Sequence, residues 1–523
     1  MNPNIILILC DDLGFGDISA LNPNSKIITP NIDAIALKGI SITDAHTTSS
    51  VCTPSRYSLL TGRYSFRSSL KSGVNWGYSP PLIEKGRLTL PQMLKNCGYT
   101  TGMVGKWHLG LNWKTDKGAY VEEGGEVNEK SIDSGIDFSA QIKDGPLHCG
   151  FDYFFGISAS LDMPPYVYIE NDRAAEIPTE KHFQGYSPNI DGITLRQGDS
   201  LSGQGRHGPV QPNMFADEVL STLSDKAVEF IRKQSSNKLP YFLYASLTAP
   251  HTPVSPSKKF VGKSGTNDQY LDFVLEVDEV VGRITSAVEE ADDHENTLII
   301  FTSDNGPEYF MHLRKTKIGH FSAGQFRGCK RDNWEGGHRV PFIVQWPSRI
   351  RAQTETSEVI SLVDIYATIA AIVGSSYPDD VAEDSLDISP LLLAGPGQAS
   401  IREVTIHHSA LGLFAIRKGE WKLLLHEGSG SDEDDTSPYS DYITSPAPVQ
   451  LYRIYEDEHE DRNLFMQYPE IVEELTQELF SILSSGRSTP GEKQPNHGDN
   501  NRWEQVETTI QTLSQLGLAV GNY

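Results

Sequence analysis

The sequence predicts an α/β fold: a large mixed, mainly parallel sheet sandwiched by helices, with a smaller C-terminal α+β domain built on an antiparallel sheet. Three observations predict it. Several short apolar runs are each followed at once by polar residues, amphipathic stretches lie between them, and the pattern changes near residue 390. Continuous apolar runs rich in β-formers read as strands buried on both faces of a parallel sheet. Strands that alternate with helical patterns place helices over that sheet.

In chain order, the strand candidates are residues 4–10 followed by "DDLGFGD", and 100–104 followed by "GKWHLG". Next come residues 240–247 followed by "TAPHTP", and 297–302 followed by "SDNGPE". Residues 215–233 and 357–374 carry apolar positions at helical spacing. Ligands in open α/β sheets bind beyond the carboxyl ends of strands, and every polar cluster above falls at such an end. We expect a catalytic domain over 1–390 and a small α+β domain over 391–523. In the latter, "LFAIRKGEWKLLL" reads as an antiparallel hairpin, "VQLYRIYEDEHEDRNL" as a further strand and "PEIVEELTQELFSILSSG" as a helix. The acidic stretch 427–446 reads as a solvated loop. No internal repeat is present.

Composition narrows the function classes. At 523 residues, 38% hydrophobic and 22% charged, the chain has the make-up of a globular protein with a large core. No apolar run approaches the ~20 residues of a membrane span. "NIILILC" lacks a basic lead and a cleavage site, so it is not a signal peptide, and an exported protein would have lost its signal ahead of residue 1. A formal net charge of −25 argues against nucleic-acid binding. The five cysteines are odd in number and widely spaced, with no C-x-x-C, so neither a disulfide scaffold nor a zinc ribbon is indicated.

The chemistry gathers at the strand ends. Asp11, Asp12, Asp304 and Asn305 offer three carboxylates and an amide oxygen, a set suited to calcium or magnesium rather than zinc. For either pair alone, N-capping and turn formation would serve as well. Arg56, Lys106, His108, His251 and Lys330 form a cationic set, and Lys106 and His108 alternate so that an extended segment would point both the same way. In "SSVCTPSRYSLLTGRY", Pro54 puts Cys52 at or just before a helix N-terminus, and Arg56 one turn on points back to it. Such a cysteine is either activated by the helix dipole and cations or simply packed. One metal and several cations around one activated residue make a site for a tetrahedral oxyanion.

"CTPSR" followed by "LLTGR" resembles the signature of type I sulfatases of the alkaline phosphatase superfamily. "NIILILCDDLGFGD", "GYTTGMVGKWHLG", "FTSDNG" and "WEGGHRVPFIVQWP" resemble the family's other blocks in the same order, over roughly residues 4–465. The resemblance implies that a maturase reads CTPSR and oxidises Cys52 to Cα-formylglycine. It implies one bound calcium, with magnesium as an alternative, on Asp11, Asp12, Asp304, Asn305 and an oxygen of the modified Cys52. It implies that Arg56 holds the aldehyde hydrate, and that Lys106, His108, His251 and Lys330 grip the sulfate and the leaving oxygen. It implies that the hydrate attacks sulfur and that its second hydroxyl then expels sulfate. Export to the periplasm or beyond is implied as well.

Specificity is expected in residues 112–212. Asp162 lies in an aromatic- and acid-rich stretch, and Arg206 and His207 lie in "GQGRHGP", where they could reach a second anionic group. His407 and His408 are placed to border the pocket from the small domain. The pattern resembles bacterial polysaccharide sulfatases more than small aryl sulfatases, which implies a sulfated glycan substrate. The rival readings are a phosphonate monoester or phosphodiester hydrolase of the same superfamily, and a non-catalytic glycan-binding relative.

Overall fold

The apolar run that opens the chain forms strand β1 (Asn4–Asp11), buried from end to end. Side chains alternate across a strand, and β1 shares them between two cores. Ile5, Leu7 and Leu9 enter one, while Ile6, Ile8 and Cys10 enter the other. The computed structural model describes residues 2–128, 133–179, 206, 208–395, 401–431, 447–498 and 502–518.

The strands that follow are β2 (Ile40–Ile42), β3 (Ala45–His46), β4 (Thr100–Lys106), β5 (Tyr153–Ile157), β6 (Ile169–Glu170) and β7 (Arg173–Ala174). After them come β8 (Tyr241–Pro250), β9 (Thr297–Ser303), β10 (Phe342–Gln345), β11 (Thr354–Thr356) and β12 (Ile360–Ser361). Ten of these form one sheet in the order β11-β2-β10-β9-β1-β8-β4-β5-β6-β7. Its centre, β9-β1-β8-β4-β5, is parallel throughout. β10 runs antiparallel to both its neighbours, and β6 and β7 add an antiparallel edge. The expected mixed, mainly parallel sheet is therefore the one observed.

Helices Pro30–Leu37, Ala216–Asn237 and Gln269–Glu290 contribute apolar residues to the core holding Ile6 and Ile8. Helices Cys52–Thr61, Leu90–Asn96 and Ile365–Val373 contribute to the other. The stretch 357–374 is α-helical only from Ile365, after a 3-10 turn over Leu362–Asp364. Ile360 and Ser361 pair with β3 instead, and Asp364 accepts the Ser361 N–H at 2.9 Å, which fixes a later helix start.

Strands β13 (Val404–His408), β14 (Phe414–Lys418), β15 (Trp421–Leu424) and β16 (Gln450–Arg453) form a separate antiparallel sheet in sequence order. Helix Pro469–Ser485 packs on it, as does helix Glu504–Gln515, which the sequence reading did not anticipate. Tyr64 and Phe66, just past the end of helix Cys52–Thr61, enter the same core.

A buried polar seam joins the two sheets. His46 Nδ1 lies 3.0 Å from His338 Nδ1, and the His338 ring stacks on His407 with centroids 3.9 Å apart. Arg417 reaches Asp44 at 2.8 Å, and Lys422 reaches both Glu335 and Glu460 at 2.9 Å. Burial holds all three imidazoles below the ordinary histidine value, so they are neutral at pH 7. The unfolded chain takes up protons at these positions near pH ~6.5, while the native state refuses them. Their contribution to stability is therefore full above that pH and lost as pH falls through it. Glu460, pushed up to about 7 by burial, acts in the opposite sense over the same range. A single variant separates the two. His338→Gln should flatten the histidine part of the stability loss between about pH 7.5 and about pH 5.5 in denaturant melts. An unchanged pH slope would remove His338 from the account.

Candidate active site

The four strands whose ends carry the polar clusters are neighbours in the sheet, in the order β9-β1-β8-β4. Because all are parallel, their carboxyl ends share one edge, where Asp11, Asp12, Lys106, His251, Asp304 and Asn305 meet. Asp12 sits in a left-handed conformation at φ +65°. The Tyr270 hydroxyl lies 3.1 Å from the Asp12 carbonyl and donates to Asp17 at 2.6 Å, which braces that turn. Gly105, at φ +121°, lets β4 approach β8: a Cβ there would lie 1.7 Å from the Ser246 carbonyl oxygen. Cys52 is the first residue of helix Cys52–Thr61 and is buried.

Cations and carboxylates interlock here. Arg56 Nε donates to Asp304 Oδ2 at 2.9 Å, and its Nη2 lies 2.6 Å from the same oxygen and 3.5 Å from Asp11 Oδ1. Its Nη1 donates to Ser246 Oγ and the Lys106 carbonyl. Lys106 Nζ bridges both Asp11 oxygens at 2.8 and 3.0 Å, and Lys330 Nζ donates to Asp12 at 2.8 Å. His251 Nε2 stands 3.6 Å from Asp12, too far for a hydrogen bond, while its Nδ1 donates to the Thr252 carbonyl at 2.6 Å.

Ligand atoms of Asp11, Cys52 and Asp304 lie within 4.8 Å of one another, as do those of Asp11, Asp12 and His251. Asn305 donates through Nδ2 to Asp12 at 2.7 Å, yet its Oδ1 is buried with no hydrogen-bond partner. An acceptor left so costs about 1–3 kcal/mol, and a cation would satisfy it. Three carboxylates and one unpaired amide oxygen therefore fit a hard divalent ion.

The electrostatics separate the groups. Burial opposes ionisation of Asp11, but Lys106, His251 and Arg56 outweigh it and hold the carboxyl well below its usual range. Burial pushes Asp304 up to about 6 against the pull of Arg56. The Cys52 thiol is pushed up by burial despite Lys106 and Lys330. The unconverted side chain is thus held as the neutral thiol.

His108 departs from the extended geometry expected of it, because it turns at φ +56°. Its Nε2–H donates to the Asn75 carbonyl at 2.7 Å, which leaves the Nδ1 lone pair buried and unpartnered. Burial, Lys106 and Arg56 keep this imidazole neutral.

Of the specificity candidates, Asp162 and Arg206 pair with each other at 3.1 Å. The Arg206 charge, expected to reach a second anion, is thus already matched. His408 is buried beside the segment leading to Cys52: its carbonyl accepts from the Ser50 N–H at 3.2 Å. His407 lies in the polar seam rather than at a pocket border. His207 lies outside the described residues. All five cysteines are free. Sequence reasoning missed Ser246 and Glu308. Ser246 relays Arg56 to the Lys106 carbonyl at 2.7 Å, and Glu308 accepts from Arg331 at 2.6 Å and sits 3.9 Å from Lys330. Glu308 stands in the same "SDNGPE" cluster as Asp304, which was its available signal.

A family profile described as Sulfatase matches residues 3–375. An N-acetylgalactosamine-6-O-sulfatase of Bacteroides thetaiotaomicron is 33% identical over 519 residues, covering 92% of this chain and 93% of that one. Human arylsulfatase A is 31% identical, covering 95% and 91%. Among solved structures, a Bacteroides thetaiotaomicron sulfatase from work on the metabolism of multiple glycosaminoglycans superposes with a TM-score of 0.76. It shares 30% identity and covers 92% of this chain and 99% of that one. With the profile spanning most of the chain and the carboxylates, cations and Cys52 gathered at one sheet edge, the chain belongs to the sulfatase family.

Proposed function

We propose that the chain hydrolyses sulfate esters of a carbohydrate, that Cys52 is converted to formylglycine, and that calcium is held by Asp11, Asp12, Asp304 and Asn305. The observation that carries this is the buried oxygen set around residue 52, faced by Arg56, Lys106 and Lys330. A carbohydrate substrate is supported by the relative named for an amino-sugar sulfate, which covers nearly the whole chain. The working enzyme requires a maturase that reads CTPSR, and export to the periplasm or beyond goes with the same reading.

Asp11, Asp12, Asp304 and Asn305 would hold the calcium, which with a hydrated formylglycine at residue 52 would supply one hydroxyl to attack sulfur and a second to expel sulfate. The protein's own residues do the rest. Arg56 holds the hydrate and the Asp304 carboxylate in register. Asp304 accepts the proton of the attacking hydroxyl. Lys106 and Lys330 neutralise charge on the sulfate oxygens. His251, its Nδ1–H fixed on the Thr252 carbonyl, presents Nε2 as the acid for the departing alcohol. His108, with a free Nδ1 lone pair, takes the proton of the second hydroxyl.

The test has two arms. Protein made with a maturase should carry a hydrazide-reactive carbonyl in tryptic peptide 39–56, and should release sulfate from sulfated oligosaccharides faster than it cleaves phosphate esters. Dominant phosphodiester turnover would sink the reading. An unreactive thiol together with retained glycan binding would favour a non-catalytic relative.

A further inference from the structure

A second group of buried polar atoms without hydrogen-bond partners adjoins His108. It comprises Asn75 Nδ2, Ser158 Oγ, Ser160 Oγ and Asp162 Oδ1. Their side chains belong to residues only 8%, 2%, 2% and 6% exposed. Buried polar atoms normally find partners, and each one left open costs about 1–3 kcal/mol. Donors and acceptors are mixed in this group, so no single ion would satisfy it.

The group is tied directly to the catalytic centre. The His108 N–H donates to the Ser158 carbonyl at 2.9 Å, and its Nε2–H to the Asn75 carbonyl. The Asn75 N–H donates to Thr53 Oγ1, next to Cys52, at 3.1 Å. The two segments also touch: a Cβ on Gly77 would lie 2.0 Å from the Pro164 carbonyl oxygen. An amphipathic pair lies beside the group. Trp76 is 38% exposed, and the Arg206 guanidinium lies 4.6 Å from the centre of its ring. Arg206 Nη1 also donates to Asp162 Oδ2 at 3.1 Å and to the Asp162 carbonyl at 3.2 Å.

We propose that Asn75, Trp76, Asp162 and Arg206 form the subsite that reads the leaving group as a pyranose. An aromatic edge beside several unpartnered hydrogen-bonding atoms matches a sugar, whose C–H groups are apolar and whose hydroxyls both donate and accept. With Oδ2 engaged by Arg206, Asp162 keeps Oδ1 as an acceptor for one ring hydroxyl. A flat aryl sulfate has no hydroxyl to offer it, so the subsite discriminates by leaving that acceptor unpaired. This deepens the carbohydrate reading of the same site and rests on it.

The experiment compares Asp162→Asn and Trp76→Ala with wild type on N-acetylgalactosamine 6-sulfate and 4-nitrophenyl sulfate. In each variant the ratio of kcat/KM for the sugar over the aryl ester should fall about 10–100-fold, mainly through KM. A ratio unchanged from wild type would overturn the proposal, because damage to the catalytic centre lowers both rates together. Calorimetric binding of N-acetylgalactosamine 6-sulfate to the Cys52→Ala protein, with and without Asp162→Asn, decides the subsite independently of turnover. Binding weakened about tenfold supports it even if the proposed hydrolysis fails, and equal binding overturns it even if hydrolysis is confirmed.

Discussion

A Cys52→Ala protein will fold, melt close to wild type and release no sulfate. The thiol is small, neutral and buried at the first helical residue. Losing one sulfur atom from such a position costs about 1 kcal/mol, at the low end of core truncations. The chemistry suffers far more, because residue 52 is the nucleophile in the proposed reaction and a methyl group offers none. The expected loss in kcat is about 10⁴-fold or more. Calcium affinity should weaken without vanishing, since the proposed ligands Asp11, Asp12, Asp304 and Asn305 remain. Melting curves, sulfate release and calcium calorimetry on the same preparation check all three parts. Turnover within tenfold of wild type would remove residue 52 from the mechanism.

Arg56→Ala will damage stability as well as rate. Arg56 is fully buried and serves Asp304, Asp11, Ser246 and the Lys106 carbonyl at once. Breaking a buried pair by removing one partner costs about 3–5 kcal/mol, because the abandoned carboxylates stay out of water. Lysine would recover only part of this, since one ammonium cannot reproduce a planar fork that meets several acceptors. Denaturant unfolding in chelator should show the full loss. Added calcium should restore more stability to the variant than to wild type, by binding the carboxylates the arginine has left. A loss below about 1 kcal/mol in chelator would mean that the Asp304–Arg56 pair carries little stability.

The sheet and the carboxylates were legible because they depend on short-range patterns. A strand buried on both faces must be apolar along its length, so β1, β8 and β9 stand out, and the polar residue after each marks where the core ends. What stayed hidden depends on pairing across long separations. The two-residue strands β3 and β12 have no pattern of their own and exist because their segments meet. The histidine seam joins His407 to Thr47, 360 residues away, and no local feature of either announces it. His108 was placed correctly beside Lys106 but for the wrong geometric reason, since its left-handed turn is set by the bonds to Ser158 and Asn75. Helix Glu504–Gln515 did carry a signal, with Val506, Thr509 and Leu513 buried along one face, but its polar composition masked it.

The burial of residues 52–56 has a bearing on the order of events in the life of the molecule. Cys52, Thr53, Pro54, Ser55 and Arg56 lie wholly inside the protein, wound into a helix and bonded to four other segments. An enzyme that recognises a five-residue signal by its side chains must grip it unwound and in the open, and the native state offers neither. If Cys52 is converted as proposed, the conversion therefore belongs to the unfolded chain, in competition with folding. Each copy gets one opportunity. On that reading, chain that folds before it is oxidised stays inert, because its signal is already wound inside the protein.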